Sequence, residues 1–174
     1  MIINKGTSSN GWSWLVYHKD VGTGKYLMLN STAGTTTNAG SFSSVTSTTI
    51  TNNSSSTSSD YINYCFTSKR GVSKVGSYQG TGAAGNKVYT GFEPAFVLVK
   101  QTTTSQGWVI WDNKRGGDKS LFPFSDTTEN TGTYDIDFNA DGFTLQSTNT
   151  PTNYSGYKYI YLAFAKNTNA ADLT

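Results

Sequence analysis

The chain has 174 residues, enough for one domain or two small ones. Charged residues make up only 14% and aromatics another 14%, a composition that builds a core and excludes a disordered chain. The net charge is +2 and the 13 basic residues are scattered, which excludes the electrostatic footprint of a nucleic-acid-binding protein.

Strand signals dominate from the start. Trp12 to Tyr17 is rich in aromatic and β-branched residues. Gly22-Thr23-Gly24-Lys25 fails the spacing of a phosphate-binding loop, with Lys19 where the first glycine belongs and Tyr26 where Ser or Thr belongs. It reads as a hairpin turn. Thr35 to Asp60 is biased to Ser, Thr and Asn. Ser41-Phe42, Val45 and Thr49-Ile50 keep spaced apolar anchors there, which predicts polar strands with long loops. Asp60 to Lys69 is strand-like. Its Cys65, the only cysteine, excludes an internal disulfide and is expected as a small buried apolar residue. Val72 to Tyr78 alternates.

Gly80-Thr81-Gly82-Ala83-Ala84-Gly85 matches G-x-G-x-x-G, but Asn86 to Gly91 carries no helix signal. A dinucleotide site needs a helix there, so the glycines read as a turn region. Phe96 to Lys100, opened by Pro94, and Trp108 to Trp111 form a predicted hairpin. Tyr134 to Phe138 and Phe143 to Leu145 follow. Tyr159 to Ala165 alternates: Ile160, Leu162 and Phe164 face one way, and Tyr159, Tyr161 and Ala163 the other. Ala170 to Leu173 is too short for a helix. No apolar run approaches the ~20 residues of a spanning helix, and no signal-peptide core follows Met1, so membrane insertion is not expected. The expected fold is an all-β, antiparallel β-sandwich of jelly-roll or concanavalin-like type.

Two blocks recur in the same order at nearly the same spacing. Ser9 to Tyr17 reads like Ser105 to Trp111, and Asp60 to Lys69 reads like Tyr157 to Lys166. This predicts two related repeats: a partial one over 1–70 and a complete one over 71–174, packed as one unit. Duplicated surfaces more often bind or build than catalyse, so a non-enzymatic role is expected.

Candidate site residues are few. His18, the only histidine, has Asp112 at the corresponding place in the second repeat, which suggests a surface position. One His and one Cys exclude a zinc site. Asp137, Asn139 and Asp141 match the opening of a calcium loop, making calcium the one candidate cofactor; the twelfth place is Thr148, not Glu. The competing reading is a hairpin with an Asn-Ala-Asp-Gly tip. Trp12 and Trp14 face the same side of a strand, whereas Trp108 and Trp111 face opposite sides, so at least one of the latter is expected at the surface. Trp14 and Trp111 are the candidate saccharide-stacking residues, with Asp112, Asn113 and Asn30 as polar partners. Glycosidase chemistry needs two carboxylates in one cleft; Glu93, Asp112 and Asp118 lie near turns, where solvated carboxylates are ordinary.

Two longer stretches carry a family resemblance. One runs from Gly76-Ser77-Tyr78-Gln79-Gly80-Thr81-Gly82 through Val88 to Lys100, with its Gly91-Phe92-Glu93-Pro94, and on to Gly107-Trp108. The other joins Asp141-Gly142-Phe143-Thr144-Leu145 to Tyr157 through Ala165. Together they resemble the repeat of tail-fibre and other virion proteins of tailed bacteriophages, especially those of marine bacteria. The resemblance implies a β-sandwich on the virion surface, on a tail fibre or the capsid exterior. It implies partners among other virion proteins, further copies of the chain in a homo-oligomer, and a host-surface glycan. It supplies no catalytic residues. The alternatives are a capsid decoration protein and a polysaccharide depolymerase.

Overall fold

A computed structural model describes residues 1–7, 12–53 and 60–167. Ser9 to Gly11 of the repeated block, residues 54–59 of the Ser/Thr-rich stretch, and Ala170 to Leu173 lie outside the described residues. The described residues form sixteen strands and no helix. These are β1 (Ile2–Gly6), β2 (Leu15–Tyr17), β3 (Lys25–Met28), β4 (Thr36–Thr37), β5 (Ser44–Val45), β6 (Ile50–Thr51), β7 (Tyr61–Cys65) and β8 (Ser73–Gln79). The rest are β9 (Asn86–Tyr89), β10 (Pro94–Gln101), β11 (Trp108–Asp112), β12 (Lys119–Ser120), β13 (Asn130–Thr131), β14 (Ile136–Asn139), β15 (Gly142–Leu145) and β16 (Lys158–Ala165). All pairings are antiparallel, as expected for a β-sandwich. The Ser/Thr-rich stretch forms short polar strands with long connections.

Three sheets matter. A first sheet has the order β4-β3-β2-β1-β7, a central sheet β11-β10-β16-β8, and a third β14-β15-β9. The central sheet is covered on both faces. On one face Val97, Val99, Trp111, Tyr159 and Tyr161 meet Val88, Phe143 and Leu145 of the third sheet. On the other, Leu98, Trp108, Ile160 and Leu162 meet Met1, Val16 and Leu27 of the first. The alternation along Tyr159 to Ala165 therefore feeds two separate cores. Strands buried on both faces carry near-continuous apolar runs, which explains Phe96 to Val99 and Tyr159 to Phe164.

This double cover overturns the expected exposure of a second-half tryptophan. Trp108 and Trp111 do point to opposite faces, but each meets a sheet and is 1% and 0% exposed. Trp111 donates its indole N–H to Tyr134 O at 2.6 Å, and Trp108 donates to Met28 O at 2.8 Å.

The first and central sheets share a pairing order. β1 lies between β2 and β7, as β10 lies between β11 and β16. Ile2 pairs with Tyr17 and Cys65, while Val97 pairs with Trp111 and Ala163. Lying one ladder on the other puts Lys5 on Lys100 and Trp14, rather than Trp12, on Trp108. Phe66 then falls on Phe164, and these two rings touch at 5.9 Å across the interface between the sheets. The overlay stops at β8, which flanks β16; among the described residues no strand flanks β7.

Candidate functional site

The proposed stacking residues do not form one site. Trp111 is sealed in the core, so it cannot stack on a sugar. Asp112 closes its own turn: one carboxylate oxygen accepts from the Lys114 and Arg115 backbone N–H groups, and the other pairs with Arg115 Nε at 2.8 Å. Arg115 also reaches Glu129, which pairs with Lys119. The Asn113 N–H donates to Ala95 O. Glu93 pairs with Lys166 at 2.8 Å. These carboxylates serve turns and exposed ion pairs.

The calcium candidates fall on a hairpin, the competing reading of this segment. Residues 136–145 form the β14–β15 hairpin, in which Phe138 pairs with Phe143 and Asn139 with Gly142. Asn139 donates its amide to Thr144 Oγ1 at 2.7 Å, and the Asp137 carboxylate accepts from Gln146. Asp141 offers its backbone carbonyl to the Thr90 and Gly91 N–H groups. Asp137 and Asn139 thus lie on β14 with their side chains engaged, Asp141 lies in the turn, and no group of three or more His, Cys, Asp or Glu able to hold a metal occurs among the described residues.

Two further expectations are reversed by position in the sheets. His18 is fully buried, because the turn after β2 lies under the central sheet. Its Nδ1 accepts from the Asp20 N–H at 3.1 Å, Nε2 has no partner, and desolvation lowers its pKa to about 4 despite the nearby Asp20 carboxylate. Cys65 is exposed, because β7 is an edge strand. The G-x-G-x-x-G loop is latched to the 147–154 segment by buried Asn153. This side chain accepts from Thr81 N and Asn86 Nδ2 and donates to Ala83 O and Ser147 O.

Trp14 remains; the structure brings it to Asn30, the polar partner named from sequence, and adds Tyr64, Lys5 and Ile62, which sequence reading missed. Its ring stacks on Tyr64 at 6.3 Å and 25°. The Lys5 ammonium sits 5.6 Å from the Trp14 ring centroid and donates to Trp12 O. The Trp14 N–H donates to Asn30 Oδ1 at 3.0 Å. Ile62, two residues from Tyr64 on the same face of β7, is 48% exposed, and Tyr64 is 44% exposed. The result is an apolar, aromatic strip at the outer end of the first sheet, with an ammonium and an amide beside it. Its counterparts on the central sheet are Trp108, Lys100, Ile160 and Leu162, all buried. There Lys100 donates to Thr32 O and Gln106 O, and desolvation lowers its pKa to about 8. The first sheet covers that face, whereas the strip on β7 projects beyond the central sheet. The Tyr-Ile-Asn-Tyr alternation at 61–64 was the available signal for it.

A second opening lies on the other face of the same sheet. A cavity of about 360 Å³ is lined by Ile2, Tyr17, Val45, Ile50, Cys65 and Phe66.

No curated protein and no solved structure matches the chain. A family model described as a domain of unknown function, DUF7483, matches residues 1–168. This match spans nearly the whole chain, and the chain belongs to the DUF7483 family.

Proposed function

We propose that this chain is a non-enzymatic structural module of a tailed-phage virion, carried on a tail fibre or the particle surface, which contacts the host envelope or neighbouring virion proteins. The carrying observation is the stack of half-buried Trp14 on exposed Tyr64, with exposed Ile62 and the Lys5 ammonium beside it, in a chain whose Trp108 and Trp111 are buried. Exposed aromatics grouped with polar donors form adhesive surfaces, since they gain much contact area for little lost side-chain entropy. The Trp14 ring and Asn30 amide would present a stacking face and a hydrogen-bonding edge to a surface glycan. The placement on a virion is supported by the sequence resemblance. The matching ladders of β2-β1-β7 and β11-β10-β16 support reading the chain as two copies of one unit.

Binding of the purified chain to host envelope polysaccharide tests the reading. Trp14→Ala should weaken binding by about thirtyfold, the size of an interface hot spot, while lowering the melting temperature by only about a few degrees. Equal binding by the variant, or none by the wild type, would overturn the glycan contact. A capsid decoration protein is the second reading, favoured by the edge of β7, which meets no further strand among the described residues and suits adhesion to neighbouring subunits. Imaging of particles labelled on this chain separates tails from heads.

A further inference from the structure

We propose that two copies of this chain associate by antiparallel pairing of β7 with β7 across a two-fold axis centred on Asn63. The inference goes beyond the functional reading above and does not depend on it.

The backbone of β7 fixes which groups are free. The Thr7 N–H donates to Asp60 O and the Phe66 N–H donates to Met1 O. Antiparallel ladders alternate, so Ile62 and Tyr64 also turn their backbone groups toward β1. Tyr61, Asn63 and Cys65 therefore aim theirs outward, and no strand among the described residues meets them. Edge strands are usually protected by a charge, a proline, a bulge or a covering segment. Tyr61-Ile62-Asn63-Tyr64-Cys65 has no charge and no proline, and its five-residue ladder to β1 is unbroken.

The other sheets show what a managed edge looks like in this molecule. The outer edge of β8 is dressed by its own chain: Ser68 Oγ both accepts from Val75 N and donates to Val75 O, and Asn86 donates to Gln79 O. The far edge of the first sheet, β4, has only two residues. The strand corresponding to β7 in the central sheet, β16, carries β8 along seven paired positions. Among the described residues, β7 is thus a five-residue edge that meets no further strand, in a position where the other ladder holds one.

The occupant follows from geometry and side chains. Because β4 has only two residues, it is too short to receive β7 and extend this sheet from copy to copy, whereas β7 meeting its own copy makes a closed two-fold contact. About Asn63 the strand is self-complementary: Ile62 falls opposite the partner's Tyr64 and Tyr61 opposite the partner's Cys65. Ile62 with Tyr64 is an aliphatic–aromatic cross-strand pair, made twice. No charge on the strand opposes the contact. The two Trp14–Tyr64 stacks would join into one continuous aromatic surface.

Sedimentation velocity across a concentration series tests this, with three variants. Asn63→Pro removes the outward N–H at the centre while sparing the β1 ladder, and should weaken association by about tenfold or more. Asn63→Ala loses the amide contact with Asn4 but keeps that N–H, and should still dimerise. In a Cys65→Ser background, Asn63→Cys places two thiols across a hydrogen-bonded pair, whose Cα separation of about 5.5 Å permits a disulfide. It should form a covalent dimer in oxidising buffer. A wild type that stays monomeric at every concentration, or a dimer indifferent to Asn63→Pro in which Asn63→Cys fails to cross-link, would overturn the proposal.

Discussion

His18 is a neutral imidazole held between two sheets, with one nitrogen satisfied by the Asp20 N–H and the other unpaired. Desolvation lowers its pKa from 6.5 to about 4 in the folded chain. Between these values the unfolded chain binds a proton that the folded chain refuses. The stability is therefore intact above pH 6.5 and falls as pH drops toward 4, by about 3 kcal/mol in all. Urea midpoints of the wild type should drop over that window, while His18→Asn, which keeps an acceptor near Asp20 N, should flatten the dependence. A midpoint independent of pH between 6.5 and 4 would contradict the burial. The tryptophans divide in the same way. Trp111→Ala should cost about 3–5 kcal/mol, since it empties a core position and orphans Tyr134 O. Trp14→Ala should change stability by about 0.5–1 kcal/mol, as expected of a partly exposed side chain. Denaturant unfolding of the pair separates the two roles.

At the scale of elements, the segment 147–154 is held by hydrogen bonds rather than by apolar burial. The Asn153 side chain bonds Thr81 and Ala83 of the β8–β9 connection, Asn86 of β9 and Ser147 of its own segment, while Tyr78 and Tyr159 donate to Thr152 O and Thr150 O at 2.6 Å. Asn153→Ala should cost about 2–4 kcal/mol through the buried groups it orphans, with exchange of the Thr81 amide accelerated. Gly80→Ala should be destabilising too, because its Cβ would lie 2.1 Å from the Tyr154 carbonyl oxygen. Elements of this kind were largely legible in the sequence. The Pro94-to-Trp111 hairpin, the alternation of Tyr159 to Ala165 and the turn character of Gly80 to Gly85 all follow from local pattern. What period-two alternation does not say is what lies over each face. Cys65 was expected inside because Tyr64-Cys65-Phe66 reads as a core strand, but its sheet ends there. Trp111 and His18 were expected outside because nothing local announces the third sheet or the overhang of the central one. The Asp137-Asn139-Asp141 spacing fits a calcium loop and a polar strand equally well, and pairing of Phe138 with Phe143 decides for the strand.

At the scale of the molecule, the central sheet is the scaffold and the first sheet is both its lid and the carrier of the exposed strip. One face of the first sheet covers Trp108, Ile160 and Leu162, and the outer part of that face, at Trp14, Ile62 and Tyr64, is left open. The same residue types are thus core in one ladder and surface in the other, depending on what packs above them. Asymmetry between the two ladders leaves the strip open, because a fully covered pair would expose neither strip nor edge. Weak contacts by the strip would gain from any pairing of copies, since two strips on one rigid body act at high effective concentration. Amide hydrogen exchange, followed residue by residue at high dilution, tests this division directly. The outward amides of Tyr61, Asn63 and Cys65 should exchange fast, while those of Tyr159 through Ala163, the corresponding stretch of β16, should be protected to near the global unfolding limit. Strong protection of Tyr61, Asn63 and Cys65 at every dilution, or rapid exchange along β16, would contradict it.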